Sequence, residues 1–157
     1  MIKIGEQAPL DIIVSDTQGV PASLRNFLGS YIVLYAYPRD ETPGCIKEAC
    51  SIRDVYEEFK AIKVVVIGIS PDDEESHKKF TEKHMLPFRL WADPRKELLG
   101  KLGVWGDQKL WGEKQMGVAR TTFLIDPTGK IIHIWENVNP EGHGEEVLDF
   151  VTKAVSK

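Results

Sequence analysis

The chain of 157 residues is 42% hydrophobic, which is sufficient for one sizeable core, so we expect a single domain over residues 1–157. Its formal net charge of −4 and its lack of long basic runs exclude nucleic acid and anionic membranes from the expected partners. Because no apolar run approaches the roughly 18 residues of a membrane span and the N-terminus lacks a signal-peptide core, we expect a soluble, cytoplasmic protein.

Two apolar, β-rich runs predict strands buried on both faces of a sheet, namely "YIVLYAYP" (31–38) and "KVVVIGIS" (63–70). The segment between them, residues 44–62, carries apolar side chains at helical spacing. Its predicted apolar face consists of Cys45, Ala49, Ile52, Tyr56 and Phe59. Strand, helix and strand together predict a right-handed βαβ unit.

The second half of the chain predicts three further elements and a connection. Residues 71–85 predict a helix with Ser70 as its N-cap and Pro71 at its first position. Residues 100–117 contain five glycines and are interpreted as a loop connection.

"TTFLID" and "KIIHIWE" flank the turn sequence "PTGK" and predict a hairpin. A final helix follows, with an apolar stripe of Val147, Leu148, Val151, Ala154 and Val155. The predicted fold class is α/β, with a mixed central sheet flanked by helices and an N-terminal strand extension.

Both cysteines lie in "YPRDETPGCIKEAC" (37–50). Cys45 falls in the first helical turn after a strand, where open α/β sheets build their ligand sites, and Pro43 and Gly44 allow a sharp turn. The free N–H groups and the helix dipole there favour the thiolate by up to about 2 kcal/mol. Lowering a thiol pKa from about 8.5 to about 6 takes roughly 3.4 kcal/mol. We therefore expect an arginine near the sulfur to supply the rest.

Cys50 lies five residues after Cys45, which on an α-helix separates the two Cα atoms by about 8.7 Å. A disulfide spans less than about 7 Å, so a bond between them would require the first helical turns to unwind, which implies a redox-linked switch. Two other interpretations remain open: Cys50 as an ordinary small helical residue, and a zinc pair. The histidines, His77, His84, His133 and His143, lack zinc-finger spacing.

These residues carry a family resemblance. "PRDETPGC" (38–45) matches the P-x-x-x-[TS]-x-x-C signature of peroxiredoxins, and "ARTTFLID" resembles the strand that carries their active-site arginine, here Arg120. "GCIKEACSIRD", "LPFRLWAD" and "MGVARTTFLID" resemble more closely the bacterioferritin comigratory protein, or peroxiredoxin Q, subgroup. The resemblance covers nearly the whole chain. It implies a thioredoxin-like (peroxiredoxin) fold and peroxide reduction without a metal or organic cofactor.

The resemblance also assigns roles to residues of this chain. Cys45 would be the peroxidatic nucleophile, and Cys50 the resolving cysteine that forms an intramolecular disulfide with it, as in an atypical 2-Cys peroxiredoxin. Arg120 would stabilise the thiolate and bind the peroxide oxygens, Thr42 would offer its hydroxyl, and Pro38 would shield the sulfur. The implied partners are a peroxide and thioredoxin or a related disulfide reductase, and the implied oligomeric state is a monomer or weak dimer.

Some polar residues stay outside the predicted site. Glu48 is interpreted either as a residue that orients the arginine or, equally, as an exposed helical glutamate. His77 and His84 are interpreted as partly buried structural histidines. Two alternative functions also remain, a general disulfide oxidoreductase and a non-enzymatic redox sensor or metal-binding module.

Overall fold

The computed structural model describes residues 1–110 and 113–156. The strands are β1 (Val14–Ser15), β2 (Pro21–Ala22), β3 (Ile32–Ala36), β4 (Val65–Ser70), β5 (Arg89–Ala92), β6 (Trp105–Leu110), β7 (Glu113–Val118), β8 (Thr121–Ile125) and β9 (Ile131–Trp135). The helices are α1 (Pro43–Asp54), α2 (Tyr56–Ala61), α3 (Glu74–His84), α4 (Glu97–Leu102) and α5 (His143–Val155), with a short 3-10 turn over Leu24–Phe27. None of the helices in the described ranges has the length and apolar composition needed to cross a bilayer.

A mixed sheet organises the described part of the chain. Seven strands lie in the order β2-β1-β5-β4-β3-β8-β9, and β6 and β7 form a separate two-stranded ribbon. β3 is parallel to β4 and β4 to β5, whereas β8 runs antiparallel to both β3 and β9. The predicted mixed sheet, its hairpin and its N-terminal extension are therefore confirmed.

The two faces of the sheet bury different halves of the core. Alternate residues of β3 point to opposite faces, so Ile32 and Leu34 pack with α4 and the N-terminal segment. Val33 and Tyr35 pack instead against α1, α2, α3 and α5. Cys45 belongs to this second half of the core, so the predicted nucleophile lies on the face that four helices cover.

The helix predicted over residues 44–62 is interrupted. α1 ends at Asp54 and α2 begins at Tyr56, because Val55 has φ −116° and ψ 14° and leaves the helical conformation. Valine is a weak helix former because its branched Cβ restricts χ1. The apolar stripe continues across the break, since Ile52 and Phe59 are both buried.

The helix predicted over residues 71–85 begins later than expected. Ser70 remains in β4, where it pairs with Ala92 of β5. The N-cap is Asp73, whose carboxylate accepts a hydrogen bond from the N–H of Ser76 at 2.9 Å. The prediction that Ser70 caps the helix is wrong. Ser70 and Asp73 can both act as an N-cap, but strand pairing keeps Ser70 in β4.

The interpretation of residues 100–117 as a loop is also wrong for the part that the structure describes. α4 extends to Leu102 and ends at Gly103, whose φ of 80° suits glycine. β6 and β7 then pair antiparallel, from Trp105 opposite Val118 to Leu110 opposite Glu113. Residues 111 and 112 lie outside the described residues.

Candidate active site

Cys45 occupies the first turn of α1, directly after the loop that follows β3. Thr42 is the N-cap and Pro43 takes the first helical position, where its missing N–H is not needed. The cysteine is only 1% exposed. The sequence therefore places a buried sulfur among the unpaired N–H groups of a helix N-terminus, as predicted.

Strand pairing brings Arg120 to the same point. β8 runs antiparallel to β3, with Thr121 opposite Ala36, so the residue before β8 lies beside the end of β3. An Nη2 of Arg120 donates to the sulfur of Cys45 at 3.4 Å. The expectation of an arginine near the sulfur is confirmed.

Gly44 provides the space for this contact. Its φ is not positive, so the backbone conformation does not itself require glycine. A Cβ built at this position would lie 3.0 Å from Nη2 of Arg120 and 3.6 Å from Cγ of Pro140. Any side chain here would press on the guanidinium group that contacts Cys45.

The ionisation of Cys45 reflects opposing influences. Burial raises the pKa of the Cys45 thiol above its ordinary value, while Arg120, the Thr42 hydroxyl and the backbone N–H of Arg39 lower it. The helix N-terminus acts in the same direction as these three groups. Burial therefore opposes ionisation of the thiol, and the groups that stabilise the thiolate are in place beside the sulfur.

Thr42 and Pro38 lie where the signature predicts. The Thr42 hydroxyl donates its proton to the carbonyl oxygen of Arg39 at 2.9 Å while it approaches the sulfur of Cys45. Pro38 is buried between β3 and α1. Both residues therefore lie in the segment that joins β3 to α1, and the shielding of the sulfur by Pro38 stays a prediction.

Cys50 is on the same uninterrupted helix as Cys45 and is partly exposed. Both thiols are free. Ser51, the residue after Cys50, is bonded to α5, because the Ser51 hydroxyl accepts a hydrogen bond from the N–H of Gly144 at 3.0 Å. A Cβ on Gly144 would overlap the backbone carbonyl of Ser51, so the two helices touch backbone to backbone beside Cys50.

Glu48 is a site residue that the sequence analysis left out. It is fully buried, and its Oε1 accepts a hydrogen bond from Nη1 of Arg120 at 2.7 Å. Burial raises the pKa of the Glu48 carboxyl to about 7, against the lowering effect of Arg120. One guanidinium group thus serves two acidic groups, Glu48 and Cys45, which compete for its charge.

His143 was missed as well. Its Nε2 lies 2.7 Å from the Thr122 hydroxyl and 4.0 Å from Oε2 of Glu48, while its Nδ1 lies 2.9 Å from the exposed carboxylate of Glu146. Burial lowers the pKa of His143, although Glu146 raises it. A chain of polar groups therefore leads from the sulfur through Arg120, Glu48 and His143 towards the surface.

Glu48 should make the protein less stable as the pH rises. Its carboxyl ionises near its ordinary value of 4.5 when unfolded but at about 7 in the fold. Between these values the folded state binds the extra proton, so the stabilisation is complete below 4.5 and is lost as the pH rises through 7. The loss is about 3 kcal/mol. The side chain in Glu48→Gln stays neutral and still accepts a hydrogen bond from Arg120. We therefore expect this variant to lose this part of the dependence of the unfolding free energy on pH.

Urea unfolding of both proteins between about pH 5 and pH 8 measures the effect as the difference between the two stability curves. Glu57→Gln, at an exposed position on α2, is the matched control and should run parallel to wild type. A Glu48→Gln curve that keeps the wild-type slope would contradict the assigned proton.

Known proteins share this sequence and arrangement. The model of the AhpC/TSA family matches residues 4–134. Peroxiredoxin Bcp of Bacillus subtilis is 45% identical over 147 residues, which cover 94% of this chain and 93% of that protein. Peroxiredoxin Bcp of Escherichia coli K12 is 36% identical over 150 residues, which cover 96% of each chain.

Solved structures agree with the relatives. The bacterioferritin comigratory protein of Xanthomonas campestris superposes with a TM-score of 0.90 at 29% identity, covering 98% of this chain and 99% of that one. Peroxidoxin BcpB of Mycobacterium tuberculosis gives a TM-score of 0.86 at 31% identity, covering 98% of both chains. The predicted thioredoxin-like, peroxiredoxin fold is confirmed. The chain belongs to the AhpC/TSA family and, within it, to the Bcp/peroxiredoxin Q group of thiol peroxidases.

Proposed function

We propose that this peroxidase reduces hydrogen peroxide and organic hydroperoxides with Cys45 as nucleophile and Cys50 as resolving residue. The observation that carries the proposal is the contact of Arg120 with the sulfur of Cys45 at the N-terminus of α1. The guanidinium group is paired with Glu48 through Nη1 and directs Nη2 to the sulfur, so it can stabilise negative charge on the thiolate.

The first step is a nucleophilic displacement on oxygen. The Cys45 thiolate attacks the terminal peroxide oxygen, an S–O bond forms and the O–O bond breaks. The leaving alkoxide or hydroxide takes up a proton and departs as alcohol or water, and sulfur is oxidised by two electrons to sulfenic acid. Negative charge moves from sulfur to the leaving oxygen, and the planar fork of Arg120 can donate to both atoms.

In the second step the thiol of Cys50 attacks the sulfenic sulfur, water leaves, and a disulfide forms. The helical separation of about 8.7 Å between the two Cα atoms must shrink first. Unwinding of α1 would break the Glu48 pair with Arg120 and the Ser51 contact with Gly144. Cys50 is already partly exposed, which suits attack by an external thiol afterwards.

The proposed reductant is thioredoxin or a related disulfide reductase, which would return two electrons through thiol exchange at Cys50. Membership in the family supports this class of partner. The Xanthomonas campestris relative has alkyl peroxide reduction activity, which supports organic hydroperoxides among the substrates proposed for this chain.

Intact mass after one equivalent of hydrogen peroxide tests both cysteine roles. Fully reduced wild type is expected to lose two hydrogen atoms as the disulfide forms. Cys50→Ser should gain one oxygen, or further oxygens with more peroxide, because its sulfenic acid has no partner. Loss of two hydrogens only in a species of doubled mass would place the disulfide between chains and contradict resolution within one chain.

A further inference from the structure

The loop between β3 and α1 contacts the sulfur through the backbone of Arg39. The N–H of Arg39 approaches Cys45, and its carbonyl oxygen accepts the hydroxyl proton of Thr42. The Arg39 N–H and the Thr42 hydroxyl, two of the groups around the thiol, therefore depend on where the backbone of this one residue lies. What fixes it is the next residue along the chain.

Asp40 is anchored to α3 and to the end of β4 by several short contacts. Its carboxylate accepts from the Tyr37 hydroxyl at 2.7 Å and from the Ser76 hydroxyl at 2.8 Å, and lies 2.6 Å from Nδ1 of His77. Its backbone N–H donates to Asp72 at 2.8 Å. Such a set of contacts fixes both the side chain and the peptide that precedes it.

His77 is fully buried in the middle of this cluster. Its Nδ1 faces the Asp40 carboxylate, and its Nε2 lies 2.9 Å from the carbonyl oxygen of Trp91 in β5. A backbone carbonyl only accepts, and so does an ionised carboxylate, so each ring nitrogen of His77 faces an acceptor. Removing either member of such a buried pair leaves the other without its partner, which is costly.

The same atoms meet the spacing of a small metal site, since Asp40, Asp72 and His77 each place a ligand atom within 4.8 Å of the others. The cluster is instead closed by hydrogen bonds of its own, because the Asp72 carboxylate also accepts from the Ser70 hydroxyl at 2.7 Å. The observations favour a rigid hydrogen-bonded cluster of side chains over a cation site.

We propose that His77 is a positioning residue for peroxide reduction, which acts through Asp40 to hold the backbone of Arg39 against Cys45 and Thr42. The proposal rests on the peroxidase function of Cys45 and adds a residue on α3 to its support. It assigns no contact between His77 and the substrate.

The test compares His77→Gln, Asp40→Asn and the double variant with wild type, all in the Cys50→Ser background so that Cys45 alone reports. Stopped-flow fluorescence gives the rate constant of the reduced protein with hydrogen peroxide. We expect each single variant to lose about 10- to 100-fold, as for a misplaced reacting group. Ultraviolet thiolate absorbance should show the Cys45 pKa rising in step with this loss.

The matched control is Lys79→Gln, which removes an exposed ion pair with Glu75 on the same helix at 3.4 Å. It should leave the rate constant within about twofold of wild type, as for surface changes. The thiol pKa should stay within about a few tenths of a unit of wild type. If His77 and Asp40 act as a pair, the double variant loses no more than the slower single variant.

Three outcomes would overturn the proposal: an unchanged thiol pKa in His77→Gln that is still folded, a wild-type rate constant in the same variant, or losses that multiply in the double variant. A variant that is merely less stable would show a lower melting temperature with both readouts unchanged. A wild-type protein that does not react with peroxide would contradict the proposed function instead. The titration of the Cys45 thiol needs no peroxide, so it tests the positioning role of His77 separately.

Discussion

Cys45→Ser is expected to abolish peroxide turnover, with a loss of at least about 10³-fold. A serine hydroxyl does not ionise beside Arg120 at neutral pH, so the site would keep its shape and lose its nucleophile. Peroxide consumption with excess dithiothreitol measures the loss, since a small thiol replaces the protein reductant.

Cys50→Ser is the informative companion to that variant. Dithiothreitol can reduce a sulfenic acid directly, so Cys50→Ser should keep turnover with this reductant at low peroxide concentration. Cys45→Ser should also unfold at nearly the wild-type temperature, because the two side chains differ by one atom. Turnover above about a tenth of wild type in Cys45→Ser would assign the chemistry to another group.

Arg120→Gln is expected to lower the rate constant for sulfenic acid formation by about 10²- to 10³-fold, comparable to the loss of one donor from an oxyanion hole. Its guanidinium group is the contact that joins Cys45 at 3.4 Å with Glu48 at 2.7 Å. A glutamine amide can donate hydrogen bonds from one nitrogen but carries no charge. Stopped-flow fluorescence of the reduced protein isolates this step from reduction.

Two further variants sharpen the result. Arg120→Lys keeps the charge, but a single ammonium group cannot donate to both partners in the geometry of the fork, so we expect a partial recovery. Arg25→Gln, which removes an exposed ion pair with Asp11, should behave as wild type. An Arg120→Gln rate constant within threefold of that control would show that the sulfur does not need the cation.

The sequence was sufficient for the parts of the site that lie in local motifs. Cys45, Thr42 and Pro38 are within eight positions of one another, and the strand before the loop is apolar enough to predict its burial. Arg120 needed the family resemblance, because antiparallel pairing of β8 with β3 cannot be read from either strand alone.

The buried charges could not be predicted in the same way. Glu48 lies three residues after Cys45 and one before Ala49, so its spacing places it on the apolar face of α1. A glutamate there is normally assigned to solvent, since nothing local pairs it. Its partner Arg120 is 72 positions away, and the partners Asp40 and His77 are 37 positions apart. A buried charge becomes understandable only when its counter-charge is located.

The predicted boundaries of helices and strands were wrong for a related reason. Ser70 and Asp73 both have the chemistry of an N-cap, and the choice is decided by the pairing of Ser70 with β5. Glycines in residues 100–117 suggested a loop, although Gly103 ends a helix with a positive φ and Gly106 and Gly117 face each other in the ribbon. Glycine content alone does not distinguish these environments.

The clearance above Gly44 has a consequence for how the chain can change. A Cβ at this position would lie only 3.0 Å from Nη2 of Arg120. A donor already 3.4 Å from sulfur has little range over which to retreat and still bond. The position of the guanidinium group beside the thiol thus depends on the absence of a Cβ at residue 44. Protein engineering of this first turn of α1 has to keep that space free.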